Sequence, residues 1–150
     1  MSKQKTAFYF PYHSPQNRYL ELMQDSWRQL GFEVADVRDI WRLKSLGNYT
    51  GNVAVLNWLE ENIARKSQYA WPLFLLKFYL LKLVGLKIIC VRHNRIPVDS
   101  VPDKQMAIFH RVASFLEARA DAVIVHSKSE AEQQGFFYVP HPVYPAQTLK

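Results

Sequence analysis

At 150 residues, with 49% hydrophobic and 21% charged positions, the sequence has the size and balance of one globular domain, not of a disordered, fibrous or membrane-spanning chain. Its formal net charge of +6 favours an anionic partner, such as nucleic acid, anionic lipid or a phosphorylated substrate, without choosing among them. The single cysteine, Cys90, rules out a disulfide framework and suits a reducing compartment. Within Lys87-Ile-Ile-Cys-Val91 it reads as a small buried hydrophobe. Met1-Ser-Lys-Gln-Lys5 carries no secretory signal, so a cytoplasmic protein is expected and the sequon Asn48-Tyr49-Thr50 marks only an exposed turn.

Thr6-Ala-Phe-Tyr-Phe10 predicts a first strand stopped by Pro11, after which Ser14 is placed to cap a helix with Pro15 at its first position. Tyr19, Leu22, Met23, Trp27 and Leu30 recur at helical spacing up to Gly31. Phe32–Val37 and Val53–Leu56 read as the second and third strands, with a short helix near Ile40–Leu46 and glycine turns between them. A polar helix over Leu59–Lys66 precedes an apolar one over Leu73–Val84, ended by Gly85. Lys87–Val91 is the fourth strand. Asp103 is expected to cap the next helix, with Phe109, Ala113, Leu116 and Ala120 on its inner face. Ala122–Val125 is the fifth strand, Ser127-Lys-Ser-Glu130 a capping box for a helix ended by Gly135, and Phe136–Val139 a sixth strand. Alternating strand and helix signals without an internal repeat predict a single α/β domain. It has a Rossmann-like parallel sheet of five or six strands, with helices on both faces.

In an open parallel sheet, ligands bind beyond the carboxyl ends of the strands. Three segments fall there, and each is rich in groups that bind sugars and phosphates. Pro11–Asn17 leads into a helix start flanked by His13, Asn17 and Arg18, which suits an anion. Arg92, His93, Asn94 and Arg95 follow the fourth strand, and His126 and Ser127 follow the fifth. His13 also fits a plain turn residue, Arg92 and Arg95 fit solvated surface charges, and His126 fits a backbone-bonded strand end. No GxGxxG follows the first strand and no P-loop occurs, so no nucleotide cofactor is expected. The five histidines lack HExxH spacing and there is no CxxC, so no metal site is expected either.

Five segments in order carry a resemblance. They are Phe10-Pro-Tyr with Asn17-Arg-Tyr-Leu20, Val55-Leu-Asn-Trp58, Lys87-Ile-Ile-Cys-Val-Arg-His-Asn94, Ala120-Asp-Ala-Val-Ile-Val-His-Ser127 and Tyr138-Val-Pro-His-Pro-Val-Tyr144. Together they resemble the N-terminal, acceptor-side domain of GT-B glycosyltransferases, especially bacterial enzymes of exopolysaccharide and lipid-linked glycan synthesis. The resemblance implies that this domain binds a glycan or lipid-linked acceptor, while a second domain binds the nucleotide-sugar donor. It implies that His93 faces the donor sugar, that Asp121–Val125 and Ser127 line the same cleft, and that residues 139–142 hand over to the second domain. That second domain is absent from the sequence, so the chain is either a fragment or one subunit of a split enzyme, and inactive alone. The glycine-rich turn of many relatives is replaced by Pro11-Tyr-His-Ser-Pro15. Under this reading His93 orients the donor sugar in a retaining enzyme, or His93, Asp99 or His126 is the base of an inverting one. An imidazole with its unperturbed pKa of about 6.5 suits that work. Arg92 and Arg95 would then help an anionic acceptor or the developing phosphate charge, with Asn94 beside them as a substrate-binding residue.

Leu73–Val84 has only Lys77 and Lys82 as polar positions, and its twelve residues are too short to span a bilayer core of about 30 Å. It fits a core helix, or an interfacial one giving peripheral contact with the cytoplasmic membrane face. The competing function is a basic, non-catalytic α/β module for nucleic acid or another anion. Scattered cations and the lack of a nucleic-acid motif speak against it.

Overall fold

A computed structural model of the chain describes residues 4–14, 17–42, 47–66, 70–93 and 102–142. Six strands form one sheet: β1 (Thr6–Phe10), β2 (Glu33–Asp36), β3 (Val53–Asn57), β4 (Lys87–Arg92), β5 (Ala122–Val125) and β6 (Phe137–Tyr138). They run parallel throughout in the order β2-β1-β3-β4-β5-β6, a Rossmann-like α/β sheet. The helices are α1 (Arg18–Gln29), α2 (Arg38–Trp41), α3 (Leu59–Ala64), α4 (Ala70–Leu83), α5 (Asp103–Arg119) and α6 (Lys128–Gln134).

The strand alternation divides the core between the two faces. Phe8, Ala54, Leu56, Ile88, Cys90, Val123 and Val125 pack under α2 to α6. Ala7, Tyr9, Val55 and Val91 point the other way, beneath Tyr19 and Leu20 of α1. Both faces carry helices, but unequally: among the described residues α1 alone covers the second. Cys90 is buried, as its apolar neighbours require.

Four helix starts depart from expectation, and the simplest is α4, which begins at Ala70, three residues before Leu73. Asn17, not Ser14, caps α1: its side chain accepts the Tyr19 backbone N–H at 3.0 Å, while the Ser14 carbonyl accepts from Asn17 itself. Asp103 lies inside α5, preceded by Pro102 with no side-chain cap, and Val112 joins Phe109 and Leu116 among the buried residues of α5. The short helix after β2 begins at Arg38, with its first turn fixed by Asp36 accepting the Arg38 N–H. Ser127 does cap α6, accepting from the Glu130 N–H at 3.4 Å, and Gly135 ends it with φ +69°.

No helix among the described residues is long and apolar enough to cross a membrane. α4 divides its apolar surface instead. Phe74, Phe78 and Leu81 are buried, the first two against Phe115 of α5, whereas Leu73, Leu76, Tyr79 and Leu83 are exposed.

Candidate functional site

β2 lies to one side of β1, and β3 to β6 extend to the other, so the chain reverses direction across the sheet between β1 and β3. At such a switch point the connections after adjacent strands diverge and leave a crevice at the carboxyl edge. Here the crevice is filled by aromatic and imidazole rings. Tyr19, in the first turn of α1, is 1% exposed and is their hub. Its ring meets Trp58 at 5.8 Å, His93 at 4.7 Å, His126 at 5.4 Å and His141 at 5.6 Å. Those four side chains follow β3, β4, β5 and β6 in turn.

Local structure explains how each ring is aimed. Trp58 sits between β3 and α3 at φ +48°, a left-handed conformation that costs a bulky residue about 1–3 kcal/mol. The indole stacks on His93 at 4.2 Å and 17°. Asn57, 1% exposed, donates its amide to the Phe10 carbonyl at 3.4 Å, which turns its Oδ1 toward Nε2 of His93 at 3.3 Å. Oδ1 can only accept, so Nε2 of His93 carries the proton and Nδ1 the lone pair. The Val139 carbonyl accepts from Nδ1 of His126 at 2.7 Å, leaving Nε2 of His126 to accept from the Tyr19 hydroxyl at 3.1 Å. Gln24 closes the loop behind Tyr19 by donating to the Tyr12 carbonyl at 2.7 Å.

The imidazoles are crowded. His126 and His141 lie 4.0 Å apart between centroids, and His93 and His126 5.0 Å. Burial pushes the His93 pKa down to about 3, with His126 and His141 adding to the fall. Burial also lowers His126, assisted by His141 and opposed by the Val139 hydrogen bond. Both are therefore neutral at pH 7. A base with so low a pKa accepts a proton poorly near neutrality, so the unperturbed-imidazole argument for His93 as general base does not survive its surroundings. A neutral His93 can still orient a polar ligand.

The remaining expected residues are dispersed. Asn17 serves Tyr19 through its cap, Ser127 is spent on capping α6, and His13 and Arg18 are exposed outside the ring cluster. Arg92 turns toward α5 and α6, pairing with Glu117 and, at 3.5 Å, with Glu130. Asn94, Arg95 and Asp99 lie outside the described residues. Tyr19, Asn57, Trp58 and His141 join the cluster with no motif in the sequence to mark them as site residues. The strand-end rule, applied to β3 and β6 as it was to β4 and β5, points to Asn57-Trp58 and to Pro140-His-Pro142.

A second feature at the same edge is an apolar cleft of about 160 Å³ between Phe10, Trp41, Leu59, Ile63 and Phe74. Arg38, Lys66 and Lys77 also line it, and Lys77 lies 5.3 Å from the Trp41 ring. Burial lowers the Lys77 pKa, and Lys66 and Arg42 add to the effect. Nearby, Glu60 of α3 is only 4% exposed, and its Oε2 has no hydrogen-bond partner among the described residues. Burial pushes its pKa up to about 7, with Glu61 and Glu117 raising it further against Arg92.

Comparison with protein-family models, curated proteins and solved structures finds no match to this chain.

Proposed function

We propose that the chain is the acceptor-side domain of a GT-B glycosyltransferase, binding a glycan or lipid-linked acceptor at the carboxyl edge of its sheet. One observation carries the reading. The segments that resemble that family are spread from Phe10 to Tyr144 in sequence, yet each supplies a ring to one cluster: Tyr19, Trp58, His93, His126 and His141. Aromatic faces beside neutral hydrogen-bonding imidazoles suit a sugar, whose C–H faces stack and whose hydroxyls need both donors and acceptors. The apolar cleft, with Lys66 and Lys77 at its wall, supports a lipid phosphate as the acceptor's anchor. The exposed Leu73, Leu76, Tyr79 and Leu83 of α4 support peripheral contact with a membrane carrying it.

The donor half of such an enzyme makes most nucleotide contacts, so this chain alone binds nucleotide sugars weakly. A nucleic-acid platform has less in its favour. Arg28, Arg38, Lys82, Lys87 and Arg92 engage Asp25, Asp36, Asp121 and Glu117, so these cations do not form an open basic stripe.

The test is a titration of the 15N-labelled chain with a short-chain polyprenyl diphosphate-linked sugar, followed by NMR. Shifts confined to Tyr19, Trp58, His93, His126 and the residues around Trp41 are expected, with little response to UDP- or GDP-sugars at micromolar concentration. Saturable nucleotide-sugar binding, or no acceptor response at millimolar concentration, overturns the reading.

A further inference from the structure

His93, His126 and His141 come from the ends of three successive strands and place one ring nitrogen each within 4.8 Å of the others. We propose that they form a three-histidine site for a divalent transition-metal ion of the zinc class, with an open fourth position. The inference stands on geometry and does not depend on the glycosyltransferase reading.

The ligand set defines the chemistry. Three imidazoles, with no carboxylate or thiolate beside them among the described residues, suit Zn²⁺, Co²⁺, Ni²⁺ or Cu²⁺ and are wrong for Mg²⁺ and Ca²⁺, which require oxygen. Sites with three protein ligands keep the fourth tetrahedral position for water or a substrate oxygen, whereas structural sites fill all four.

The outer shell is also in place. Metal-bound histidines usually donate their second ring N–H to a carbonyl or amide oxygen, which fixes tautomer and ring orientation. His126 does so from Nδ1 to the Val139 carbonyl at 2.7 Å, and His93 from Nε2 to Oδ1 of Asn57 at 3.3 Å. Each is left with one lone pair, Nε2 on His126 and Nδ1 on His93. Asn57 is itself oriented by the Phe10 carbonyl, so the His93 tautomer is set two links deep. A metal entering at Nε2 of His126 exchanges the Tyr19 hydrogen bond for a coordinate bond and leaves the phenol beside the open position.

Tetrahedral coordination at 2.0–2.1 Å puts ligand nitrogens about 3.4 Å apart, so the triad closes by roughly 1.5 Å at most. The movement falls on His141, exposed on the chain leaving β6. Val139 stays anchored by its N–H donated to the Val125 carbonyl and its carbonyl accepting from His126, so the movement is a rotation of the His141 side chain.

The test uses the untagged 150-residue chain, stripped with chelator and titrated with metal alone. One equivalent of Zn²⁺ is expected to bind with micromolar or tighter affinity and to raise the melting temperature, while Mg²⁺ does neither. Co²⁺ should give the intense visible bands of a tetrahedral site. His141→Ala, at an exposed position, should keep the fold and weaken zinc by more than about 100-fold, and Asn57→Ala by roughly 10–100-fold. His141→Cys should restore binding and add a thiolate-to-cobalt charge-transfer band. No stoichiometric zinc binding, or binding that His141→Ala leaves intact, overturns the proposal. Because no glycan or nucleotide sugar is present, failure here leaves the acceptor-binding reading standing, and failure of the acceptor titration leaves this one.

Discussion

The two edges of the sheet treat polar groups in opposite ways. At the amino edge Asn52 and Asp121 are both engaged by the fold. Asn52 accepts from the Thr6 N–H at 2.8 Å, and its carbonyl accepts from the Lys87 N–H. Asp121 accepts from the Ile88 N–H at 2.8 Å and pairs with Lys82 at 2.7 Å and Lys87 at 3.3 Å. Hydrogen bonds and lysines together hold the Asp121 pKa below the usual carboxylate range against its partial burial. At the carboxyl edge two imidazoles are set as neutral tautomers, Trp58 holds an unfavourable φ, and Glu60 is buried with no partner for Oε2 among the described residues. The amino edge spends its polarity on stability. The carboxyl edge holds polarity in reserve, at a cost in stability, which is what a ligand site requires.

The largest loss of stability is expected where the amino edge is tightest. Gly85 has φ +90°, and an added Cβ would lie 2.8 Å from Oγ1 and 3.2 Å from the backbone N of Thr50. Gly85→Ala should cost about 2–4 kcal/mol in urea unfolding, combining backbone strain with overpacking. A cost below about 1 kcal/mol would show that the Thr50 turn moves aside and that this edge is not rigid.

The two carboxylates should then give opposite pH profiles. Asp121 has a lowered pKa, so its stabilisation is present above its unfolded value near 3.8 and is lost as pH falls through the folded value. Asp121→Asn should therefore destabilise by about 1–2 kcal/mol at pH 7, and the gap should close in acid. Glu60 is raised to about 7, so the folded state is most favoured below about pH 4.5 and loses stability as pH rises to 7. Glu60→Gln should gain about 1–3 kcal/mol over the wild type at pH 8 and little at pH 4.5. Parallel profiles for the two variants would erase the contrast between the edges.

Most of the fold was legible because strand and helix periods are local. Thr6–Phe10 and Ala122–Val125 read correctly to the residue, and the Ser127 cap and Gly135 stop needed only neighbouring positions. Caps next to prolines misled: Ser14-Pro15 has the pattern of a helix start, but the three-residue delay to Asn17 is what places Tyr19 over the strand ends. The site was legible in part. A His after an apolar strand identifies a sheet edge, so His93 and His126 were found. What the spacing could not show is convergence. His93, His126 and His141 are separated by an entire helix or helix–strand step, so no motif rule links them. Arg92, beside His93 in sequence, points to the other side of the strand and is taken by Glu117. The depressed His93 pKa also needed the structure, because the burial responsible comes from Trp58 and Tyr19.

Long-range 1H–15N correlation of the histidine rings at pH 7 reads directly whether the carboxyl edge holds preset, uncharged imidazoles. Two neutral, single tautomers are expected: His126 protonated at Nδ1 and His93 at Nε2, with His93 remaining neutral to about pH 4. A charged His93 at pH 6, or averaged tautomer signals for both rings, would contradict this expectation.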